Sequence, residues 1–225
     1  MTITPLRNEP VVAGWPDSVL ASPGATPHSV TLVTECGHSM VVDVARWHSP
    51  ASDADISVIE RCHGPVLDVG SGPGRIVRAL GAQGIPGLGI DLSRAAVEHA
   101  FAAGAACVVA DVFDTVPGEG TWKTALLLDG NIGIGGDPVR LLRRLAELVT
   151  TCGTLVVEVE RHRGVSAARR VQVAHGTTLS AWFDWAVVSL DELPAHATES
   201  GWTVAEMWSR GERWFMRLVR SGSSS

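Results

Sequence analysis

Apolar residues in the middle of the chain occur in four short runs, and each run contains an acidic residue at or near its end. The runs cover 65–69, 87–92, 106–112 and 124–131, and their acidic residues are Asp68, Asp91, Asp111 and Asp129. Segments of helical length separate the runs, with apolar residues at helical spacing such as Ile76, Val77 and Leu80. Alternating buried strands and helices predict a parallel sheet whose carboxyl edge carries these acidic residues.

The second half of the chain predicts the strands that complete this sheet. Asp137 and Pro138 indicate a helix start, an N-cap followed by an N1 proline, and a fifth strand follows at 154–160. The runs 204–208 and 213–219 predict a closing antiparallel pair. We therefore expect an α/β fold with a seven-stranded mixed sheet, mostly parallel, and helices on both faces. Further helices are predicted at 53–62, at 94–103, and from an S-x-x-E capping box at 189–192 to about 201.

Other segments fall outside this sheet. Residues 1–27 predict an irregular arm, and 28–33 with 40–44 predict a hairpin. A second hairpin, inserted after the fifth strand, is predicted from 169–175 and 179–188. The expected organisation is an arm and hairpin over 1–51 packed on a main domain over 52–220, followed by a disordered tail over 221–225.

A glycine-rich turn follows the first strand of the main domain. Gly70, Gly72 and Gly74 occupy alternate positions between the strand and the next helix, where the backbone N–H groups approach a ligand without Cβ atoms in the way. In dinucleotide sites the third glycine comes three residues after the second. Here it comes two residues after the second, and Arg75 occupies the position of the third glycine of a dinucleotide site. Asp91 follows at the spacing expected of a carboxylate that accepts from both ribose hydroxyls.

With these motifs in this order, residues 52–220 resemble the class I S-adenosylmethionine (SAM)-dependent methyltransferases. The resemblance implies SAM as cofactor and S-adenosyl-L-homocysteine (SAH) as product, and it makes 52–220 the SAM-binding domain. It places Asp68 at the methionine amino end, the glycine turn along the methionine and ribose, and Asp91 at the ribose. The implied contacts comprise Asp68, Gly70, Ser71, Gly72, Gly74, Asp91, Leu92 and Val112, with Asp111 at the adenine amino group and the backbone of Asp129 and Gly130 at the ammonium.

The segment before the glycine turn offers a further contact with the cofactor. Arg46 is a candidate partner of the methionine carboxylate, and Trp47 of the sulfonium through cation–π attraction. The alternative is a surface ion pair beside a packed indole. For Trp182, Phe183 and Trp185, the alternatives are core packing under the inserted hairpin and a clamp on the acceptor.

Methyl transfer from a sulfonium needs mainly alignment and exclusion of water, with a general base where the acceptor must lose a proton. The candidate catalytic residues lie after the fourth and fifth strands: Asp129, Asn131, Glu160 and His162. Asp129 has two alternatives, catalysis or acceptor positioning on one side and cofactor holding or turn stabilisation on the other.

Arginines after the fifth strand give a hypothesis about the acceptor. Arg161, Arg163, Arg169 and Arg170 lie close together in the sequence, and guanidinium groups bind carboxylates in bidentate pairs. They therefore suggest an anionic acceptor, such as a carboxylate. The alternative is a solvated run of charge.

The charge distribution and the missing motifs argue against a nucleic-acid substrate. The net charge is −6, with 7 basic and 15 acidic residues before Pro138 and 11 basic and 9 acidic residues from there on, so no general basic face is expected. The motifs of adenine N6 and cytosine C5 DNA methylases are missing, so we expect no DNA substrate and consider RNA a weaker candidate.

No apolar run approaches the ~20 residues that span a bilayer, the N-terminus lacks signal-peptide features, and no partnership with a membrane is expected.

The cysteines and histidines predict neither disulfides nor a metal. Four cysteines without CxxC pairing favour reduced thiols in a cytoplasmic protein, and Cys36, His38 and His48 lack a metal-ligand spacing. The sequence thus predicts a cytoplasmic SAM-dependent methyltransferase that acts on a small molecule by direct in-line transfer. The alternatives are an RNA or protein methyltransferase, an enzyme that transfers another group from SAM, and a SAM-binding protein without catalysis.

Overall fold

The computed structural model describes Trp15, Val19 and residues 29–161, 167–175 and 178–222. Twelve strands and six α-helices lie in these ranges. The strands are β1 (Ser29–Thr34), β2 (Ser39–Asp43), β3 (Val66–Val69), β4 (Gly87–Asp91), β5 (Cys107–Val109), β6 (Trp122–Leu127), β7 (Val149–Val159), β8 (Ala167–His175), β9 (Thr178–Leu179), β10 (Phe183–Val187), β11 (Trp202–Arg210) and β12 (Arg213–Arg220). The helices are α1 (Ala45–His48), α2 (Asp53–Ile59), α3 (Arg75–Ala82), α4 (Arg94–Ala102), α5 (Pro138–Leu148) and α6 (Leu193–Glu199), with a 3₁₀ turn at Asn131–Gly133.

Seven of the strands form the main sheet, in the order β11-β12-β7-β6-β3-β4-β5. The five strands from β7 to β5 in this order are parallel, and β12 pairs antiparallel with both β7 and β11. The predicted seven-stranded mixed sheet is therefore confirmed. The third parallel strand is shorter than expected, because it ends at Val109 and leaves Asp111 and Val112 on the following loop.

Local sequence explains where most helices begin. Ser52 and Asp55 form a reciprocal capping box at α2, and the Asp137 side chain accepts from the Arg140 N–H at α5. The capping box predicted at Ser189–Glu192 is wrong: α6 begins at Leu193, with Glu192 as an N-cap that makes no side-chain cap bond. Pro194 explains the later start, since proline fits the first helical turn, where its missing N–H leaves no bond unmade.

The other five strands form a second, antiparallel sheet, which we call the lid sheet. Its order is β10-β8-β1-β2, with β9 paired to β8, so the N-terminal hairpin and the segment inserted after β7 join through the pairing of β1 with β8. The inner face of the lid sheet is apolar and packs against α1 and the start of α4, where it contacts Trp47 and Ala96. This face carries Val30, Leu32, Val171, Val173, Phe183 and Trp185.

Within the described ranges, no helix has the length and apolar character needed to cross a membrane. The four cysteines are free thiols. The division of the chain at residue 51 stays a prediction, as does the tail over 221–225. Most of the predicted arm, together with His162 and Arg163, lies outside the described residues.

Candidate functional site

A cavity opens where β3, β4 and β6 end, and the lid sheet covers it. Its empty space is about 990 Å³ including the open mouth. Its lining combines the glycine turn, the acidic strand ends, and aromatic residues of the lid sheet and α1. One cavity therefore joins the predicted cofactor site to the lid.

The glycines of the turn differ in what surrounds them. Gly70 has φ +72°, and a Cβ there would lie 2.5 Å from the Asn131 Nδ2 atom. A Cβ on Gly74 would lie 2.7 Å from the Ala105 Cβ, so that glycine allows close packing of α3. Gly72, with φ +52°, has nothing within 4 Å of a built Cβ. Its backbone therefore faces the open cavity, where a ligand can approach it.

Asp68 presents an unpaired carboxylate oxygen beside this turn. The residue is 2% exposed, and its Oδ2 atom has no hydrogen-bond partner among the described residues. Burial and the nearby Asp129 carboxylate raise the pKa of Asp68 to about 7, and Arg75 acts in the opposite direction. A buried carboxyl of this kind gains most from a cationic partner such as an ammonium group.

Two further carboxylates are held in place by backbone N–H groups. Asp91 Oδ2 accepts from the Gly72 N–H and Asp91 Oδ1 from the Ser93 N–H, both at 2.8 Å. Asp111 Oδ1 accepts from the Phe113 N–H at 2.9 Å. These bonds fix acceptor groups at the end of β4 and just after β5, on the wall where the resemblance places the ribose and the adenine.

A network of arginines and carboxylates lies beneath the cavity, and the sequence analysis missed it. Arg75, 3% exposed, pairs with Asp55 and, at 2.5 Å, with Asp129. Arg213 pairs with Asp55 at 2.7 Å and with Glu158 at 2.6 Å. Although burial opposes them, Arg75 and Arg213 hold the pKa of Asp55 below its ordinary value. The position of Arg75 in the glycine motif was the sequence signal, but its partners come from distant segments.

Asp129 belongs to this network. Its carboxylate pairs with Arg75, with Arg46 at 2.7 Å and with Arg213 at 3.3 Å, while its own N–H donates to Glu158 at 2.7 Å. Asp129 is also a non-glycine residue with φ +54°, a conformation that such contacts must hold in place. Three guanidinium groups therefore neutralise the carboxylate that sequence reasoning ranked first for catalysis.

Asn131 braces the glycine turn. Its Nδ2 atom donates to the carbonyl oxygens of Val69 at 2.8 Å and Gly70 at 2.9 Å. The side chain that prevents a Cβ at Gly70 thus also fixes the path of the backbone after β3.

The structure brings most of the sequence-predicted site residues together around the cavity. Arg46, Gly74, Gly130 and Glu160 are not in its lining; Glu160 is exposed, and its backbone bonds to residues 188 and 190. His162 lies outside the described residues. The lining includes Asp68, Gly70, Ser71, Gly72, Asp91, Leu92, Asp111, Val112, Asp129 and Asn131.

Among the described residues, the arginines proposed to capture an anion are not in the cavity lining, although Arg170 lies 4.0 Å from Asp184, which is. Arg161 is exposed, Arg169 contacts Cys36 Sγ at 3.2 Å, and Arg170 contacts Glu35 at 3.3 Å. No group of three or more potential metal ligands occurs among the residues that the structure describes.

Four aromatic residues form what we call the aromatic recess of the cavity: Trp15, Trp47, Phe183 and Trp185. The Trp15 ring lies at the centre, with its centroid 5.0 Å from Trp47, 5.9 Å from Trp185 and 6.3 Å from Phe183. Its contacts with the other two indoles are edge-to-face. Of the three lid residues considered for an acceptor clamp, Phe183 and Trp185 line the cavity.

Comparison with known proteins supports the fold. No family model matches the chain, and no curated protein matches it. Similar solved structures include a SAM-dependent methyltransferase from Bacteroides fragilis in complex with SAH, 20% identical over 86% of this chain and 88% of that chain, with a TM-score of 0.71.

Two further similar structures are methyltransferases named for their acceptors. One is the 1,6-didemethyltoxoflavin-N1-methyltransferase of Burkholderia thailandensis, 18% identical over 78% of this chain and 81% of that chain, with a TM-score of 0.56. Another is the sugar N-methyltransferase KedS8 of a Streptoalloteichus species, 18% identical over 75% and 85%, with a TM-score of 0.54. Together with the strand order, these likenesses give the chain the fold of the class I SAM-dependent methyltransferases.

Proposed function

We propose that this chain is a SAM-dependent methyltransferase that acts on a small molecule. The observation that carries the proposal is the unpaired, buried Oδ2 of Asp68 beside a glycine turn whose backbone faces the cavity at Gly72. The fold and the two held carboxylates support it, and so do the acceptors named for two of the similar structures.

The residues present fit SAM. Asp68 would bind the α-ammonium, the turn at Gly70–Gly72 the methionine chain, Asp91 the ribose hydroxyls, and Asp111 with the Val112 N–H the adenine edge. Arg46 pairs with Asp129, which lines the cavity, and is the candidate partner of the methionine carboxylate. When bound, SAM supplies a methyl group activated by its sulfonium.

The chain's own contribution to transfer is alignment and exclusion of water. The lid sheet covers the cavity, while the network around Asp129 fixes the end of β6 in one geometry. Because Asp129 is paired with three arginines, we propose a positioning role for it and Asn131 rather than proton abstraction. Orientation of this kind contributes up to ~7–11 kcal/mol in favourable reactions.

The test begins with binding. Calorimetry with purified protein should show heat for SAM and SAH, and Asp91→Ala should weaken binding at least tenfold. The exposed Asp114→Ala is the matched control and should bind as the wild type does. Absence of heat from both compounds would refute the assignment of the cofactor.

Turnover separates the remaining alternatives. Labelled SAM is incubated with the protein and fractionated cell extract, and the product is identified by mass. A methylated small molecule supports the proposal, whereas label that ribonuclease or protease removes indicates an RNA or protein substrate. Binding without turnover in every fraction would indicate a SAM-binding protein without catalysis, and a product of another mass would indicate transfer of a different group.

A further inference from the structure

The aromatic recess adjoins the proposed cofactor site within the same cavity, so it is the natural place for the acceptor. Two of its members, Phe183 and Trp185, lie on the inner face of β10 in the lid sheet, and Trp47 lies on α1, which packs against that sheet. Ile134 adds an apolar contact between the 3₁₀ turn and the recess. The acceptor side of the cavity therefore consists largely of ring faces and edges.

The Trp15 indole occupies the space among the other three rings of the recess. A ring clasped between two others needs contacts of about 3.5 Å on each face, so the clasping rings lie about 7 Å apart. The Trp15 centroid is only 5.0–6.3 Å from its three neighbours. Another ring therefore does not fit between Trp15 and the walls, and an acceptor that uses them must take the place of Trp15.

The charges around the recess disfavour an anion. Arg75 lines the cavity and Arg46 lies beside it, but both are paired with carboxylates. Arg169 and Arg170 contact residues of the β1–β2 turn, and Arg170 also lies 4.0 Å from Asp184, a carboxylate that lines the cavity and would repel an anion. A carboxylate placed against the indoles would lose its hydration without gaining a cation, which costs free energy. A cationic group would gain from the same indole faces.

We propose that the aromatic recess is the acceptor subsite, that Trp15 occupies it as an internal surrogate, and that the acceptor is a planar aromatic molecule without negative charge. This inference rests on the proposed methyltransferase function. The sequence suggested an anionic acceptor. We propose instead an acceptor that resembles the Trp15 indole, which occupies the subsite in this structure.

The test uses three probes that share one ring: indole, tryptamine and indole-3-acetate, which are neutral, cationic and anionic. Binding to the SAH-loaded protein is measured by calorimetry and by saturation-transfer NMR. We expect indole and tryptamine to bind at least fivefold more tightly than indole-3-acetate. Equal or tighter binding of indole-3-acetate, or no binding of any probe at millimolar concentration, would overturn the proposal.

Variants of the recess test the role of Trp15. Trp15→Ala should raise the affinity for indole roughly tenfold, because the ring no longer competes for its contacts. Trp185→Leu should lower it, and Trp208→Ala, outside the cavity, should leave it unchanged. Unchanged or weaker indole binding in Trp15→Ala would refute displacement.

Calorimetry of SAH with each variant keeps the two proposals apart. Variants that retain SAH binding but do not show the expected changes in probe affinity would refute the acceptor subsite alone. Failure of the wild type to bind SAH would refute the proposed function itself. If Trp185→Leu does not fold, the comparison of the three probes on the wild type and Trp15→Ala still decides.

Discussion

Replacing Asp68 by asparagine should stabilise the protein while weakening its binding of SAH. Burial and Asp129 raise the pKa of the Asp68 carboxyl from 3.8 to about 7 in the folded protein. In the unfolded chain the group ionises near its ordinary value. Above pH 7 the folded protein therefore holds a buried carboxylate that the unfolded chain solvates better, and Asp68→Asn removes this cost.

The size and pH dependence follow from the two pKa values. A tenfold change in proton affinity corresponds to about 1.4 kcal/mol, so the interval from 3.8 to about 7 gives at most about 4 kcal/mol. Because the folded-state pKa is the higher one, the stabilising effect of protonated Asp68 is complete below about pH 4. It is lost as the pH rises through 7. Between pH 5 and pH 8 the wild type should lose about 3 kcal/mol relative to Asp68→Asn.

Thermal unfolding of the two proteins, without SAM or SAH, measures this difference. At about 2–4 °C per kcal/mol for a chain of this size, the advantage of the variant in Tm should grow by roughly 6–12 °C from pH 5 to pH 8. Exposed Asp114→Asn, as the control, should show no such growth. In calorimetry at pH 8, Asp68→Asn should bind SAH at least tenfold more weakly. A Tm difference that is the same at both pH values would refute the reasoning.

Three further predictions concern other residues. Asn131→Ala removes the two hydrogen bonds to the turn and should lower the free energy of unfolding, measured by denaturant titration, by about 1–3 kcal/mol. SAH affinity should fall more than in the control Thr115→Ala, at an exposed residue. Full SAH affinity in Asn131→Ala would contradict the bracing role. Arg46→Ala should weaken SAH binding severalfold but change the free energy of unfolding by less than about 1 kcal/mol, because the Arg46 side chain is 34% exposed. Arg143→Ala, at an exposed arginine, is the control, and equal SAH binding by both variants would count against Arg46. Hydrogen bonds from Thr34 and His38 lower the pKa of Cys36 to about 6, so the rate at which iodoacetamide alkylates Cys36 should be half-maximal near pH 6. A midpoint near pH 9 for Cys36 would exclude that arrangement.

The parts of the structure that the sequence predicted depend on short stretches of chain. The glycine turn, the acids after the strands and the start of α5 are each set by neighbouring residues, so their patterns survive in the sequence. The start of α6 shows the limit even of local rules. Ser189 and Glu192 have capping-box spacing, yet the proline two residues later determines where the helix begins.

The lid sheet and the charge network depend instead on contacts between distant segments. The β1–β8 pairing joins residues 31–34 to residues 171–174. The sequence of neither hairpin indicates which distant strand it pairs with. Arg75 meets Asp55 and Asp129, and Arg213 meets Asp55 and Glu158, at sequence separations that range from 20 to 158 residues. Each residue alone had the pattern of an ordinary charge at a helix or strand end.

Asp129 shows why the position of a residue and its role must be argued separately. The sequence placed it correctly at the end of the fourth parallel strand, where a base for methyl transfer would lie. Its carboxylate, however, forms ion pairs with Arg46, Arg75 and Arg213. A group held in this way positions its neighbours better than it moves protons. The chemistry it favours is transfer to an acceptor atom that Asp129 need not deprotonate, consistent with an aromatic acceptor without negative charge in the recess.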